Sequence, residues 1–504
     1  MVLLLGLATA LYYMHRGDGE RISELETELR GLREREKQSE IVRGVSEQME
    51  EIAYGQQTLS EERSREAIRQ SEIAQAATLR SEAERRIALQ AQAAAEISAG
   101  EAKASYQMAE QRRLEAEHAK LVADTLNYIS LGRTLGSQSY AIYRSGDIEL
   151  GNMLAYASYL YTNDYGGNLY TPAVFQALTQ SAGGRRSWSV HDSKITRMDI
   201  LPKSGNLLTV SDNGEFFIHK LQDGQLTAQR QIRDRNYCFR DVYAANNGQA
   251  YAISYTGHLM IVGGNQTKVI YVEHVDRPFS LQHMNDGRQL LIIGENSIAL
   301  FDLTTDKVIA TRRLDFHVTS IGRRDNNPLL FDNRGRMHHV KSLDDISDEK
   351  VPVQGQVTAF ASSKHDHLTA YGMADGTIWL TAGNGKTYKL VEHLSRVTKM
   401  EFNGHRLYSS SYDGKLLFWS IDHNSQMKAV TLFQSDSWLM DIIFSGDKDY
   451  IWTGEKNGIV SQYLVSLPKI AQRLRQNVKR NFTQEEWNFY VGKGIPYRRL
   501  KIDN

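Results

Sequence analysis

Ser410-Ser411-Tyr412-Asp413-Gly414-Lys415-Leu416-Leu417-Phe418-Trp419-Ser420 is the stretch that decides the fold. Asp-Gly between two runs of β-branched, aromatic or apolar residues is a strong short-range hairpin signal, because glycine supplies the positive φ that the tight turn needs. Similar turns recur along the chain. Gly214, Gly257, Ser297, Gly335, Gly376, Gly414 and Gly458 are separated by 43, 40, 38, 41, 38 and 44 residues. A period near 40 residues with strand-like content is the signature of a β-propeller, one four-stranded blade per period. The expected architecture is an all-β, seven-bladed β-propeller over 183–466.

The first blade sets the pattern. Ile195 to Leu201, Leu207 to Asp212, Glu215 to Lys220 and Leu226 to Ile232 read as four successive strands, with Asn213-Gly214 as the middle turn. The last blade supplies only three, at Trp438 to Phe444, Tyr450 to Glu455 and Gly458 to Leu464, before Leu467-Pro468 turns the chain helical. Ser187 to Val190 (SWSV), just ahead of the first blade, is expected to supply the missing outer strand. That closure removes the exposed sheet edges that an open ring would leave.

The repeat end around Asp413 and Trp419 resembles the WD40 family, with Trp-Ser where the family has Trp-Asp. The resemblance implies a structural blade network of His393, Ser410 (or Ser411), Asp413 and Trp419. Phe301-Asp302 and Trp379-Leu380 are partial matches, and His219-Lys220 and His338-His339 depart further from the pattern. Phe482 to Leu500 is similar to the Leu-Thr-x-Glu-Glu-Trp…Pro-Tyr ending of bacterial WD40 proteins attached to signalling or conflict-system modules. The upstream enzymatic module of those proteins has no counterpart here. The resemblance implies protein binding.

Outward from the ring, composition divides the chain. All seven prolines lie at position 172 or later, so the first 171 residues permit long helices. Val2 to Met14 carries no charge and spans ~20 Å as a helix, short of a ~30 Å hydrocarbon core. It reads as a short membrane anchor over 1–16, as a signal-peptide core, or as the end of a longer span. The following Arg16 favours a cytoplasmic soluble part, with the periplasm as the alternative. From 17 to 113, Ile22, Leu25, Leu29 and Leu32, then Ile41, Val45, Met49 and Ile52, form heptad seams of a helical coiled-coil stalk, so a homo-oligomer is expected. Residues 114–182 read as a small helical adaptor: a stop at Ser145-Gly146, an N-cap at Asp147 and Pro172 in the first turn of a further helix. Residues 467–504 read as a helical tail, with a capping box from Thr483 to Glu486. Its basic residues are expected to dock on acidic loops of the propeller, with an anionic membrane surface as the alternative.

Chemistry is sparse. Formal net charge is zero, against a nucleic-acid binder driven by bulk positive charge. Cys238 is the only cysteine, which rules out an intrachain disulfide and a cysteine zinc site. No P-loop, zincin or nucleophile-elbow motif occurs. Gly383 to Thr387 reads as a β-turn. His365-Asp366-His367 is a weak metal candidate, and neighbours such as His338-His339 point to opposite faces of a strand. Arg185-Arg186 and Arg323-Arg324 read as solvated pairs. Trp188 and Trp438 read as packing residues or interaction anchors. No cofactor and no catalytic residue is expected. The expected function is a non-enzymatic, membrane-anchored scaffold for protein partners. The alternative is a sensor or regulatory subunit of a bacterial signalling or defence system, separate from its effector.

Overall fold

The computed structural model describes residue 69 and residues 98–501, except 285–286, 364–366, 422–426 and 428. Val2 to Met14, the heptads from Ile22 to Ile52 and the His365-Asp366 pair lie outside the described residues. No described helix is long and apolar enough to cross a membrane.

Helix α1 (Ser98–Ser145) runs unbroken through the 113/114 position where the sequence reading placed the start of the adaptor. Its last turns carry the side chains that pack. It ends before Gly146, whose φ is +103°. Helix α2 (Ile148–Asp164) opens on Asp147, whose carboxylate accepts the Leu150 amide at 3.1 Å. Helix α3 (Pro172–Ser181) follows. Small residues let these helices approach closely: a Cβ on Gly136 would lie 2.5 Å from the Ala173 carbonyl oxygen. Ser158 and Ser139 seal the contact by donating to the carbonyls of Gly132 and Gly151, at 2.6 and 2.7 Å.

The strands, numbered β1 to β28 along the chain, form seven four-stranded antiparallel sheets among the described residues. Blade one is β2 (Ile195–Ile200), β3 (Leu207–Ser211), β4 (Glu215–Gln222) and β5 (Gln225–Arg233). Strand β3 is buried along its whole length between neighbouring blades, whereas β5 alternates exposed and half-buried as an outer strand does. The seventh blade is β26 (Leu439–Phe444), β27 (Tyr450–Glu455), β28 (Ile459–Leu464) and β1 (Arg185–Ser189). Strand β1 pairs antiparallel with β28, Ser187 opposite Ser461, so the ring closes as the sequence suggested, two residues earlier than SWSV.

The remaining inner strands are β6 (Phe239–Ala244), β10 (Ser280–Met284), β14 (Val318–Arg324), β18 (Val357–Ser363) and β22 (Val397–Phe402). Six of the seven inner strands shift register near their start, skipping Thr196, Arg240, Thr319, Thr358, Thr398 and Met440. Such a bulge leaves a ladder carbonyl without its amide. Threonine hydroxyls take over: Thr196, Thr319 and Thr358 donate to the carbonyls of Val210, Phe331 and Gly372 on the second strand. The same level joins blade to blade. Thr358 and Thr398 donate to the carbonyls of Val397 and Leu439 at 2.7 and 2.9 Å, and the Met198 amide donates to Asp441 at 2.8 Å. These bonds join matching positions of neighbouring inner strands, so the strands all run the same way. The end where they begin is the upper face.

The helices cover the opposite end of blades six and seven. Val174, Phe175, Leu178, Ile470 and Leu474 pack with Tyr408, Phe418, Phe444 and Leu464. The tail, with α4 (Leu467–Asn477), corrects one expectation. Lys469 does pair with propeller loop residues Asp447 and Asp449. Arg473 also reaches the propeller, donating to the Tyr450 hydroxyl, but the tail beyond α4 docks on the helices: Trp487, Val491 and Leu500 pack with Leu135, Met153 and Leu154, while Arg480 and Arg498 meet Glu149 and Asp164. The Thr483–Glu486 capping box is formed.

Four of the turn glycines at the upper face, Gly214, Gly376, Gly414 and Gly458, are tightly set. Gly458 has φ +79°, and a Cβ there would lie 2.0 Å from the His191 carbonyl oxygen. Gly458→Ala meets both a left-handed backbone and that clash, so we expect a loss of at least ~2 kcal/mol in urea unfolding. Gly335 has a positive φ but open space around it. Gly335→Ala therefore carries the backbone cost alone and serves as the comparison.

Candidate functional site

Two polar systems shape the upper half of the ring. One stiffens the turns of individual blades. The other lines the central channel.

In blade six, His393 Nδ1 meets Asp413 at 3.0 Å and Nε2 meets Ser409 Oγ at 2.9 Å; Trp419 Nε1 donates to the same hydroxyl at 3.0 Å. Asp413 also accepts the amides of Leu394 and Lys415. The serine is therefore Ser409, not Ser410. The alternation of a strand explains the correction: Ser409 and Trp419 share a face of neighbouring strands, while Ser410 points the other way, to Thr398. Ser411 supports the turn through the Asp413 amide. Burial acts to raise the Asp413 carboxyl, but the His393 and amide hydrogen bonds outweigh it and hold it below the usual carboxylate range.

Blade one carries an unforeseen variant. His191 joins Glu215 at 3.0 Å and Thr209 at 2.7 Å, and His219 meets Thr209 at 2.8 Å in the place of a tryptophan. Burial, then the nearby His191, pushes His219 down to about 3, so it stays neutral. The acid has moved two residues along, to Glu215, which is why a search for Asp-Gly missed it. In blade four, His338 joins Asp332 at 3.0 Å while His339 joins Glu349 at 2.9 Å, so the two rings serve different partners.

The channel encloses about 540 Å³. Its bulge level carries a ladder of charge across blades two, one, seven and six: Asp241, Arg197, Asp441 and Lys399. Arg197 lies 4.0 Å from each aspartate, and Lys399 lies 3.6 Å from Asp441. Below it sit Asp199, which accepts the Ile200 and Ala244 amides, and Glu401. Burial pushes both carboxyls up to about 7. An acid whose folded value is raised binds protons that the unfolded chain has lost, so it lowers stability as pH climbs from the unfolded value towards 7. Glu401→Gln removes that liability. We expect its urea midpoint to fall less between pH 5 and pH 8 than that of the parent protein.

The upper rim is open and carries aromatic and cationic groups. Tyr412 stacks on Trp438 at 4.5 Å, and Lys456 Nζ lies 3.9 Å above the Trp438 ring. Trp438 is 42% exposed and Tyr255 39%. Trp188 has a different place: it is half-buried against Trp452, at 5.8 Å, in the closing blade. A Cβ on Gly214, Gly376, Gly414 or Gly458 would lie within 2.5 Å of a neighbouring loop carbonyl, whereas at Gly257 the Val272 carbonyl stands off at 3.5 Å and at Gly335 the space is open. Two arginine pairs are not simply solvated. Arg185 bonds buried Glu455 at 2.9 Å and lies over Phe433, and Arg323 donates to the His283 carbonyl in the channel wall. Nothing in a run such as Arg-Arg distinguishes these from surface pairs; only the blade register does.

No family model matches the chain. The pre-rRNA-processing protein IPI3 of Yarrowia lipolytica is 27% identical over 130 residues, which is 24% of this chain. The match spans 30% of that protein's own length. Among solved structures, U3-55K and the RRP9 WD40 repeats are each 12% identical with a TM-score of 0.48, covering 56% of this chain and 99% and 98% of theirs. The blade count rests on the seven sheets of this chain.

Proposed function

We propose that the protein is a non-enzymatic scaffold that binds protein partners through the upper face of its propeller. The observation that carries this reading is asymmetry. The lower end of blades six and seven is covered by the helices and tail, while the upper rim leaves Trp438, Tyr412 and Tyr255 within reach of a partner. Aromatic residues on a rigid surface are the usual energetic centre of an interface. A photo-crosslinking amino acid at position 438 of the full chain, expressed in its own cell, tests this. Protein adducts are expected there and not at position 309 on an outer strand. Adducts at 309 alone would place the interface elsewhere.

Two further parts belong to the proposal. Leu114, Leu121, Val122 and Leu126 of α1 are 46% to 66% exposed. Together with the upstream heptads they support self-association of the helix in a stalk. Sedimentation of the full chain distinguishes a dimer or trimer from a monomer. The uncharged run Val2 to Met14 supports anchoring at the inner membrane, and the Arg16 that follows it supports a cytoplasmic ring, with the periplasm as the alternative. Removing residues 1 to 16 is expected to release the protein from the membrane fraction, and retention would overturn the anchor.

A further inference from the structure

We propose that the upper channel mouth is a receptor for an acidic peptide segment, whose carboxylates meet Arg240 and Arg396 and whose flanking apolar residue packs on Tyr412 and Trp438. This rests on the reading of the upper face as the partner surface and names the partner's chemistry.

Six cationic side chains line the cavity: Lys194, Arg197, Arg240, Arg323, Arg396 and Lys399. Only Asp199, Asp241 and Glu401 oppose them in that lining, with Asp441 behind Lys399. The chain as a whole is neutral, so this excess is local. Height matters as well. The carboxylates lie at or below the bulge level, where backbone amides, Arg197 and Lys399 engage them. Lys194, Arg240 and Arg396 stand at the beginnings of β2, β6 and β22, and so at the mouth. Lys194 has Asp212 at 3.1 Å, and Arg240 faces the ring of Tyr255 at 5.9 Å. Arg396 has no ion-pair partner among the described residues.

The mouth therefore holds more positive charge than its surroundings neutralise. The low-dielectric walls of a narrow channel strengthen the resulting field. Tyr412 ties the two parts together: it lines the cavity with Arg396, donates its backbone amide to the Arg396 carbonyl, and stacks on Trp438. A segment with acidic residues next to an apolar one matches that layout. A nucleic acid would need a continuous basic track, and the rim interrupts one: Asp212 occupies Lys194, and Glu295 pairs with Arg277.

The test is fluorescence anisotropy on the full chain with a labelled peptide, Glu-Asp-Glu-Phe-Glu-Asp-Glu. Its Gln/Asn counterpart, a Lys counterpart and a labelled single-stranded oligonucleotide are measured in parallel. The expected result is saturable binding of the acidic peptide alone, weakening at least tenfold between 50 and 300 mM salt. Arg240→Glu with Arg396→Glu should weaken it at least tenfold, and Arg396→Gln alone by about threefold, with melting curves unchanged because both arginines are half-exposed. Reversing Arg475 and Lys493 on the tail should change nothing. Equal binding of the Gln/Asn peptide, stronger binding of the oligonucleotide, or indifference to the arginine variants would each overturn the proposal. If crosslinked partners at position 438 persist in the Arg240/Arg396 double variant, the acidic segment is wrong and the scaffold reading stands.

Discussion

Replacing Arg185–Ser189 with Gly-Ser-Gly-Ser-Gly is expected to destabilise the ring by about 4–6 kcal/mol while keeping the link to the helices intact. The substitution removes the Arg185 guanidinium from Glu455, whose side chain is wholly buried. Removing one partner of a buried pair costs roughly 3–5 kcal/mol, because the remaining charge has lost both water and its counter-ion. Ser435 and Ser461 still reach Glu455, at 2.6 and 3.4 Å, which places the expected loss at the lower end of that range. Loss of the Trp188–Trp452 contact adds roughly 0.5–1.5 kcal/mol and some apolar burial. Glycine also weakens the strand itself. Urea unfolding followed by the tryptophan fluorescence of the seventh blade reads the effect. A midpoint equal to that of the parent would mean that β1 does not hold the ring closed.

Ser409→Ala should be the most costly single hydroxyl deletion in blade six. Its hydroxyl serves both the His393 ring and the Trp419 indole, and all three side chains are buried. Deletion leaves two buried polar groups without a partner, at roughly 1–3 kcal/mol each, so a total of about 2–4 kcal/mol is expected. Ser410→Ala should cost less than half as much, since Thr398 keeps its bond to the Leu439 carbonyl. Thermal melts of the two variants decide the assignment. A larger loss for Ser410→Ala would return the network to the serine that the sequence suggested. Acid should also act through this network. The Asp413 carboxyl is held low in the folded protein, so its contribution is present above the unfolded carboxylate value and is lost as pH falls through the folded one. The Glu401 effect has the opposite sign.

The ring was legible because its signals are local and repeated. Asn213-Gly214, Asp413-Gly414 and Asn457-Gly458 each fix a turn through a backbone conformation that few residues adopt, and the spacing of such turns counts the blades. Closure was legible by subtraction, since the last blade lacked a strand and Trp188 preceded the first. The site was less legible. Whether Ser409 or Ser410 faces His393 depends on register, and a slip of one residue turns every side chain to the other face. The bulges at Thr196, Thr358 and Thr398 add one residue each to the inner strands and shift that parity again. The charge ladder of Asp241, Arg197, Asp441 and Lys399 joins residues that lie up to 244 positions apart, so no window of sequence contains it. The tail misled for a related reason. Its basic residues demanded acidic partners, and Glu149 and Asp164 on the helices were as available in composition as the propeller loops.

Closure by β1 also fixes how the helices are attached to the ring, and so which face is left for partners. A pair of cysteines tests it directly. Ser187 and Ser461 are opposed in register with their hydroxyl oxygens 3.0 Å apart. Ser187→Cys with Ser461→Cys, in a Cys238→Ser background, is the measurement, because a disulfide forms only when the two Cβ atoms come within about 4.5 Å. Mild oxidation of the folded protein should give an intramolecular disulfide, seen by mass spectrometry as a peptide joining the two strands, and a higher melting temperature. Free thiols at both positions in folded protein, or a disulfide that links two chains instead of one, would contradict a ring closed by the segment that precedes it.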